Sequence, residues 1–291
     1  METPVTFTSA GLKLAGIVST PDDLKPGERR PAFLVLHGFG TGKDSGTTKP
    51  AAQLFAKLGY VALRFDFRGC GESEGKRGHI ICLEQVEDTQ NAYDYLAGRD
   101  DVDPERIAVF GHSFGAAVAV YTAGIDKRFA GVISSGGWGN GEVKFKGQHA
   151  SPEAWSRFTA MLEEGKRRKT KGEQMMVMRW DIVPIPEHLR ANLPKDSVME
   201  FPVDTAQSMF DFKADDVIGN IAPRPVLLFH AANDSVTPTS QSISLFQHAG
   251  QPTDLVLLAD IDHFPFSDHN PRAIEIVKGW LAKFLPVQTA A

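Results

Sequence analysis

The sequence contains few cysteines, no long apolar run and no excess of positive charge. Only Cys70 and Cys82 occur among 291 residues, so we expect no disulfide framework. No run approaches the ~18 consecutive apolar residues of a transmembrane helix. The first residues also lack the basic segment and apolar core of a signal peptide. A formal net charge of -5 argues against nucleic acid or an anionic membrane as the main partner. We therefore expect a cytoplasmic protein with no membrane span.

Short apolar runs alternate with helical patterns along most of the chain. The run from Pro31 to Leu36 is continuously apolar, which is typical of a strand buried on both faces. The patterns predict strands at 5–8, 12–18, 31–36, 61–67, 107–110, 130–134, 225–229 and 255–258, and helices at 50–58, 83–96, 116–121, 239–248 and 273–284. This alternation predicts the α/β class, with a mostly parallel central sheet and helices on both faces.

The alternation stops after Trp138 and resumes near residue 216. The intervening block has helical and loop-like patterns, polar stretches and scattered aromatic residues. A chain of this length is compatible with one large domain that carries an insertion. We predict an α/β core made of residues 1–138 and 216–291, with residues 139–215 forming an inserted helical lid.

The segment Gly111-His112-Ser113-Phe114-Gly115 follows the apolar run 107–110 directly. The pattern G-x-S-x-G between a strand and a helix is typical of a nucleophile elbow, a sharp turn that presents the serine hydroxyl above the sheet. The two glycines allow the strand and the helix to pack closely around a strained residue. We therefore predict that Ser113 is a catalytic nucleophile.

A serine hydroxyl becomes a good nucleophile when a histidine takes its proton and a carboxylate orients that histidine. Asp234 follows the strand predicted at 225–229, and His263 follows the strand predicted at 255–258. Both come after Ser113 in the order Ser, Asp, His, with room for one helix and one strand between the acid and the base. We predict a catalytic triad of Ser113, Asp234 and His263.

Other residues compete for the roles of base and acid. Asp260 and Asp262 lie too close in sequence to His263 to be the usual orienting acid. His230 is the last residue of the stretch Val226-Leu227-Leu228-Phe229-His230, where local packing or hydrogen bonding is the expected role. The remaining histidines do not directly follow a late strand: His37, His79, His112, His149, His188, His248 and His269.

A serine nucleophile also needs hydrogen-bond donors for the oxyanion that develops during attack. The strand that ends at Leu36 continues into His37-Gly38-Phe39-Gly40. Such a loop can donate one backbone N–H, and the residue after the nucleophile donates the other. We predict an oxyanion hole formed by the amides of Phe39 and Phe114.

The segment from Asp66 to Gly75 has the pattern D-x-R-G-x-G-x-S-x-G. With the elbow and the predicted triad, it resembles the serine aminopeptidase and dipeptidyl-peptidase-like branch of the α/β-hydrolase superfamily, over nearly the full chain. The resemblance implies the α/β-hydrolase fold and a bracing role for this segment near the active site. It implies a packed thiol at Cys70. No metal-ligand spacing is present, and we expect no cofactor.

The predicted function is hydrolysis of a carboxylic ester or related acyl compound of small size. The same triad also serves peptidases, amidases, thioesterases, acyltransferases and enzymes that cleave carbon–carbon bonds, and fold and triad do not separate these activities. A non-enzymatic ligand-binding protein of the same fold is a further alternative. The oligomeric state stays open, and a homo-oligomer is compatible with the sequence.

The predicted lid contains all six methionines that follow Met1, together with several aromatic residues. Methionine adapts to irregular apolar shapes, so these side chains are candidates for contacts with an apolar substrate. The alternative is that they form the small core of the insertion itself. Candidate substrate-binding residues are Trp138, Met175, Met178, Trp180 and Met209.

Overall fold

The apolar runs of the sequence form strands at the centre of the fold. The structure is a computed structural model that describes residues 1–266 and 270–287. The strands are β1 (Glu2–Ser9), β2 (Leu12–Ser19), β3 (Arg30–Leu36), β4 (Val61–Phe65), β5 (Val102–His112), β6 (Val132–Ser135), β7 (Met176–Met178), β8 (Glu200–Pro202), β9 (Val226–Ala231) and β10 (Thr253–Leu258). All residues of β3 and β4 are buried, including Arg30 and Arg64.

The helices cover the sheet and fill the segment between β6 and β9. They are α1 (Thr48–Lys57), α2 (Cys82–Ala97), α3 (Phe114–Ile125), α4 (Gly141–Gln148), α5 (Pro152–Lys169), α6 (Arg179–Ile182), α7 (Val203–Asp211), α8 (Ser240–His248) and α9 (Pro271–Phe284). Short 3-10 helices occupy 187–192, 214–216 and 218–221. None of the helices within residues 1–266 and 270–287 has the length and apolar character needed to cross a bilayer.

Within the described residues, eight strands form one sheet in the order β1-β2-β4-β3-β5-β6-β9-β10. The pairings β1–β2 and β2–β4 are antiparallel, and the pairings from β4 through β3, β5, β6 and β9 to β10 are parallel. The prediction of a mostly parallel sheet in an α/β fold is confirmed. The carboxyl ends of β5, β9 and β10 therefore share one edge, where loops can bring side chains together.

The apolar core lies in two layers, one on each face of the sheet. Alternate side chains of β3 point to opposite faces, so Leu34 belongs to the layer with α2 and α3 while Phe33 belongs to the layer with α1 and α9. In the second layer Phe33 stacks on Phe55 with ring centroids 3.9 Å apart. Both faces of the central strands are thus sealed from water.

The segment between β6 and β9 differs from the helical and loop-like prediction in one respect. Strands β7 and β8 pair antiparallel in a small separate sheet. Each strand has three residues, which is too short for an alternating pattern to be recognised in the sequence. Buried side chains of the segment, such as Phe145, Phe201 and Met209, join the same core layer as α3. The assignment of residues 139–215 as a lid stays a prediction.

Asp66 organises the loop that contains the D-x-R-G-x-G-x-S-x-G pattern. Its Oδ1 accepts the amide of Lys43 at 2.6 Å, and its Oδ2 accepts the Lys43 ammonium at 2.8 Å. A Cβ at Gly71, whose φ is +49°, would lie 2.3 Å from the Asp66 carboxylate. Only glycine therefore fits at this position of the loop. Cys70 is buried beside it, and burial raises the pKa of its thiol to about 12, as expected for a packed thiol rather than a second nucleophile.

Arg68 of the same loop forms a buried ion pair with Asp88 of α2. Its Nε and Nη2 donate to Asp88 Oδ1 at 2.8 and 2.6 Å, and its amide donates to Oδ2 at 3.0 Å. The Asp88 side chain is fully buried, whereas Glu87, which also pairs with Arg68, is half exposed. Because Asp88 is buried, water cannot replace it as the partner of Arg68, whereas water can replace the exposed Glu87.

We predict that Asp88→Ala lowers the free energy of unfolding by about 3–5 kcal/mol, because it leaves a buried guanidinium without its main partner. Glu87→Ala is the matched control and should cost about 1 kcal/mol or less. Urea denaturation followed by circular dichroism measures both. Equal losses in the two variants would contradict the structural role assigned to Asp88.

Candidate active site

Ser113 lies at the turn between β5 and α3 with φ of +54° and ψ of -112°. A positive φ at a residue that is not glycine costs on the order of 1–3 kcal/mol, and it persists where the surroundings enforce it. A Cβ at Gly111 would lie 2.1 Å from the carbonyl oxygen of Gly115. A Cβ at Gly115 would lie 2.6 Å from the carbonyl oxygens of Leu36 and His37. The predicted elbow geometry is thus present, with both glycines at close backbone contacts.

A chain of two hydrogen bonds joins Ser113, His263 and Asp234. His263 Nε2 lies 2.9 Å from Ser113 Oγ, and His263 Nδ1 lies 2.8 Å from Asp234 Oδ2. A carboxylate only accepts hydrogen bonds, so Nδ1 carries the proton and Nε2 is free to accept the serine proton. The structure therefore brings the three residues of the predicted triad into contact.

The carboxylate of Asp234 is buried and saturated with donors. Oδ1 accepts the amides of Val236 and Thr237 at 2.8 and 2.7 Å. Burial alone would raise the pKa of Asp234, but the charge that His263 carries when protonated and the hydrogen bonds from His230 and His263 outweigh it. These groups together hold the pKa of Asp234 well below its usual range. Asp234 is therefore ionised near neutral pH.

His230 is a further contact of the acid. Its Nε2 lies 3.1 Å from Asp234 Oδ2 and 3.0 Å from the carbonyl oxygen of Thr237, and its Nδ1 lies 2.6 Å from Ser242 Oγ. Both partners of Nε2 are acceptors, so Nε2 carries the proton and Nδ1 accepts from Ser242. The sequence predicted local packing or hydrogen bonding for this residue. The signal for its contact with the acid is its position four residues before Asp234.

The other described histidines lie outside the hydrogen-bonded chain of Ser113, His263 and Asp234. His37 Nε2 accepts the amide of Phe67 at 3.1 Å, and burial lowers the pKa of His37. The ring of His112 lies 4.9 Å from that of His263 without a hydrogen bond between them, and burial lowers the pKa of His112 well below its usual value. His149 forms a hydrogen bond with the carbonyl of Ile182, and His248 forms one with the carbonyl of Ser244. His269 lies outside the described residues.

The two amides predicted for the oxyanion hole lie on either side of the elbow. Phe114 is the first residue of α3, and Phe39 belongs to the loop after β3. A Cβ at Gly38 would lie 3.9 Å from Ser113 Cβ, so this loop passes directly beside the serine. Within residues 1–266 and 270–287, the N–H groups of Phe39 and Phe114 donate to no protein acceptor. Both donors are therefore available, and their role as an oxyanion hole stays a prediction.

A pocket opens beside the serine. Its floor contains Gly38, Phe39, Ser113 and His263. Half of its other side chains are apolar and half are polar, and the polar ones include a buried arginine. The residues that the segment between β6 and β9 contributes are Arg179, Val183, Ile185, Asn192, Leu193 and Pro194.

The five predicted substrate-binding residues do not line this pocket. Trp138 and Met209 are buried in the core layer with α3, as part of the packing. Met175, Met178 and Trp180 line a different groove, on the outer side of the same segment. The choice rested on residue type, and the direction of each side chain depends on the paths of β7 and α6. Met209 is therefore a packing residue of the core layer that the segment shares with α3, and not part of a separate core of the insertion.

Comparison with known proteins assigns the chain to a family. A family model described as serine aminopeptidase, S33, matches residues 27–270, which is most of the chain. The chain belongs to this family. The S33 assignment agrees with the superfamily inferred from the elbow and from the Asp66–Gly75 pattern.

Similar proteins include a transferase, a thiohydrolase and a solved structure. Polyketide transferase ATR5 from Stachybotrys chlorohalonatus is 24% identical over 253 residues, covering 81% of this chain and 82% of that protein. Thiohydrolase aneE from Aspergillus aculeatus is 27% identical over 278 residues, covering 88% and 84%. The crystal structure of the α/β hydrolase GrgF from Penicillium sp. sh18 matches with a TM-score of 0.80 and 22% identity, covering 98% of this chain and 99% of that one. This S33 member therefore has the α/β-hydrolase fold.

The close contacts of the S33 elbow predict a difference between two helical glycines. Gly115→Ala should lower the free energy of unfolding by about 1–3 kcal/mol, because the new methyl group meets the carbonyls of Leu36 and His37. A Cβ at Gly279 in α9 meets no described atom within 4 Å. Gly279→Ala should stabilise the protein by about 0.5–1 kcal/mol through helix propensity. Thermal unfolding compares the two, and a neutral Gly115→Ala would contradict the tight approach at the elbow.

Proposed function

We propose that this protein is a serine hydrolase that cleaves a carboxylic ester through an acyl-enzyme. The observation that carries the proposal is the hydrogen-bonded chain from Asp234 through His263 to Ser113. Membership of the S33 family supports a hydrolase, and the proposal extends that to the bond cleaved and the residues used.

In the first half of the reaction, Ser113 Oγ attacks the ester carbonyl while His263 Nε2 accepts its proton. The resulting imidazolium is stabilised by the ionised Asp234 at 2.8 Å. The negative oxygen of the tetrahedral intermediate accepts hydrogen bonds from the amides of Phe39 and Phe114. Each such donor contributes about 3 kcal/mol to lowering the barrier.

In the second half, the intermediate collapses and His263 returns its proton to the leaving alcohol. A water molecule then attacks the acyl-enzyme while His263 accepts its proton. The bond between the acyl carbon and Ser113 Oγ breaks, His263 returns the proton to Ser113 Oγ, and the acid product leaves. The chain itself supplies the nucleophile, the base and the oxyanion donors, so the proposal requires no cofactor. His230 acts on the acid rather than on the substrate, because its Nε2 proton lies against Asp234 and Thr237.

The second candidate function is acyl transfer, in which an alcohol or another nucleophile replaces water in the second half. The polyketide transferase ATR5 and the thiohydrolase aneE are curated relatives that span more than four-fifths of this chain, which favours both a transferase and a thioester substrate as alternatives. The acyl-enzyme is common to all three reactions. Peptide cleavage, which the family description suggests, uses the same intermediate.

The nucleophile is tested by labelling with a fluorophosphonate probe. We expect rapid, stoichiometric labelling of the wild-type protein and none of Ser113→Ala, because the probe reports an activated serine. Ser135, which lies in the neighbouring strand β6, provides a control: Ser135→Ala should still label. A wild-type protein as resistant as Ser113→Ala would overturn the proposal.

The bond type is tested with p-nitrophenyl esters of increasing acyl length against aminoacyl p-nitroanilides. We expect higher kcat/KM for esters, with released acid and no transfer product. Addition of short alcohols distinguishes the second candidate, since a transferase would form the new ester in preference to the acid. Preference for anilides would overturn the ester assignment.

The role of the acid is tested with Asp234→Asn. The substitution should lower kcat on the order of 10⁴-fold, because the amide fails to hold the required His263 tautomer and to stabilise the imidazolium. Asp262→Asn is the matched control, since Asp262 accepts from Ser235 and from the backbone amide of His263 rather than from its ring. It should change kcat by less than about tenfold. Similar losses in both variants would contradict the assignment of Asp234.

A further inference from the structure

Arg179 is a buried cation in the pocket that contains Ser113. It is the first residue of α6, its exposed fraction is 1%, and it lines the pocket together with Phe39 and His263. Its neighbours in sequence, Met178 and Trp180, face the outer groove instead. The chain thus turns one charged side chain inward between two apolar ones.

The hydrogen bonds of Arg179 use only part of its donor capacity. Nε donates to the carbonyl of Val198 at 2.9 Å, and Nη2 donates to the carbonyl of Gly40 at 3.0 Å. A guanidinium has five N–H donors. Among the described residues the other three have no protein acceptor. The fork of the guanidinium is therefore not saturated by the protein.

The charge of Arg179 is also unpaired within the described residues. No carboxylate of residues 1–266 or 270–287 lies within 4 Å of it, in contrast to the buried Arg64 and Arg68, which pair with Glu2 and Asp88. Burial lowers the pKa of Arg179 to about 10, so it remains a cation near neutral pH. The faces of Phe39 and Phe201 lie 5.2 and 5.6 Å from the guanidinium carbon. Such cation–π contacts offset part of the desolvation cost, which is several kcal/mol for a buried ion.

We propose that Arg179 forms an anion subsite and that the substrate is an ester bearing a carboxylate. The inference rests on the proposed ester hydrolysis at Ser113 and names the class of its substrate. A carboxylate fits the planar fork of a guanidinium with two parallel hydrogen bonds. It supplies the acceptors and the negative charge that the described residues around Arg179 do not. The apolar side chains of Val183, Ile185 and Leu193 then enclose the carbon chain between the carboxylate and the scissile bond.

Arg179 also contacts the loop that carries the amide of Phe39. Loss of its bond to the Gly40 carbonyl can shift that amide and slow every substrate, charged or neutral. A change in absolute rate therefore does not test the subsite. The ratio of kcat/KM between a charged and a matched neutral ester does test it. A shift of the oxyanion donors changes both rates alike and therefore cancels in the ratio.

The first experiment uses the wild-type protein and two pairs of esters, followed by acid release in a pH-stat at pH 7. Monomethyl glutarate against methyl valerate places the carboxylate in the acyl part, and 3-acetoxypropionate against propyl acetate places it in the alcohol part. We expect a preference of at least tenfold for the charged member of one pair. The net charge of the protein is -5, so the protein as a whole would repel the charged member of each pair and favour the neutral one. Turnover of the neutral esters without preference in either pair overturns the subsite and leaves the hydrolase intact.

The second experiment compares Arg179→Met with Arg190→Met. Arg190 lies on the same segment, 4.4 Å from the ring of Trp180, donates to the carbonyl of Ile185, and does not line the Ser113 pocket. We expect the preference to fall to about one in Arg179→Met and to stay at the wild-type ratio in Arg190→Met. A preference that survives in Arg179→Met overturns the proposal.

Two further measurements keep the outcomes separate. Fluorophosphonate labelling of Ser113 shows whether each variant retains an assembled site. If Arg179→Met does not fold, Arg179→Lys retains the charge but not the fork, and its preference should lie between wild type and one. A ratio in Arg179→Lys equal to wild type would overturn bidentate binding. Failure of the wild-type protein to label or to hydrolyse any ester would instead contradict the proposed function.

Discussion

The close approach of β3, β5 and α3 is the constraint on which the rest of the site depends. Gly111 and Gly115 allow backbone contacts that a single methyl group would prevent, and Ser113 is held at positive φ between them. The fold tolerates the strained φ of Ser113 because β5 is buried in the middle of the sheet and α3 is packed on apolar side chains. The same contacts place the carbonyls of Leu36 and His37 against α3, and so fix where the following loop passes the serine. One backbone geometry thereby positions both the nucleophile and the predicted oxyanion donors.

A second constraint is the concentration of hydrogen-bond donors around Asp234. Two backbone amides and two histidines point at one buried carboxylate, which keeps it ionised and leaves it no freedom to rotate. Since Ser242 Oγ fixes His230 in turn, helix α8 is connected to the acid through side chains. The orientation of His263 therefore depends on β9, β10 and α8 together, and not on one loop.

The strands of the central sheet and the three residues of the proposed triad could be proposed from the sequence because each leaves a local signal. A buried strand requires a continuous apolar run, and Ser113, Asp234 and His263 each follow such a run in a fixed order. The substrate-facing residues left no such signal. Met178 and Trp180 were chosen for their apolar type, yet Arg179 between them is the residue that reaches the pocket. Which of three consecutive side chains turns inward depends on how β7 pairs with β8, and three-residue strands show no periodicity in the sequence.

Arg179 joins the segment between β6 and β9 to the loop that carries the predicted oxyanion donor Phe39. A Cβ at Gly40 would lie 2.7 Å from Arg179 Nη2 and from the ring of Phe201, so the guanidinium fits only because residue 40 has no side chain. The carbonyl of Gly40 accepts from Arg179 and from the amide of Val198, and the ring of Phe39 stacks on Phe201 with centroids 4.4 Å apart. The loop that carries the Phe39 amide is therefore held from outside by β8 and its neighbours. An anion bound to the free side of the guanidinium would bind in the pocket that Phe39 also lines, so the proposed substrate recognition and the predicted oxyanion stabilisation would depend on the same loop.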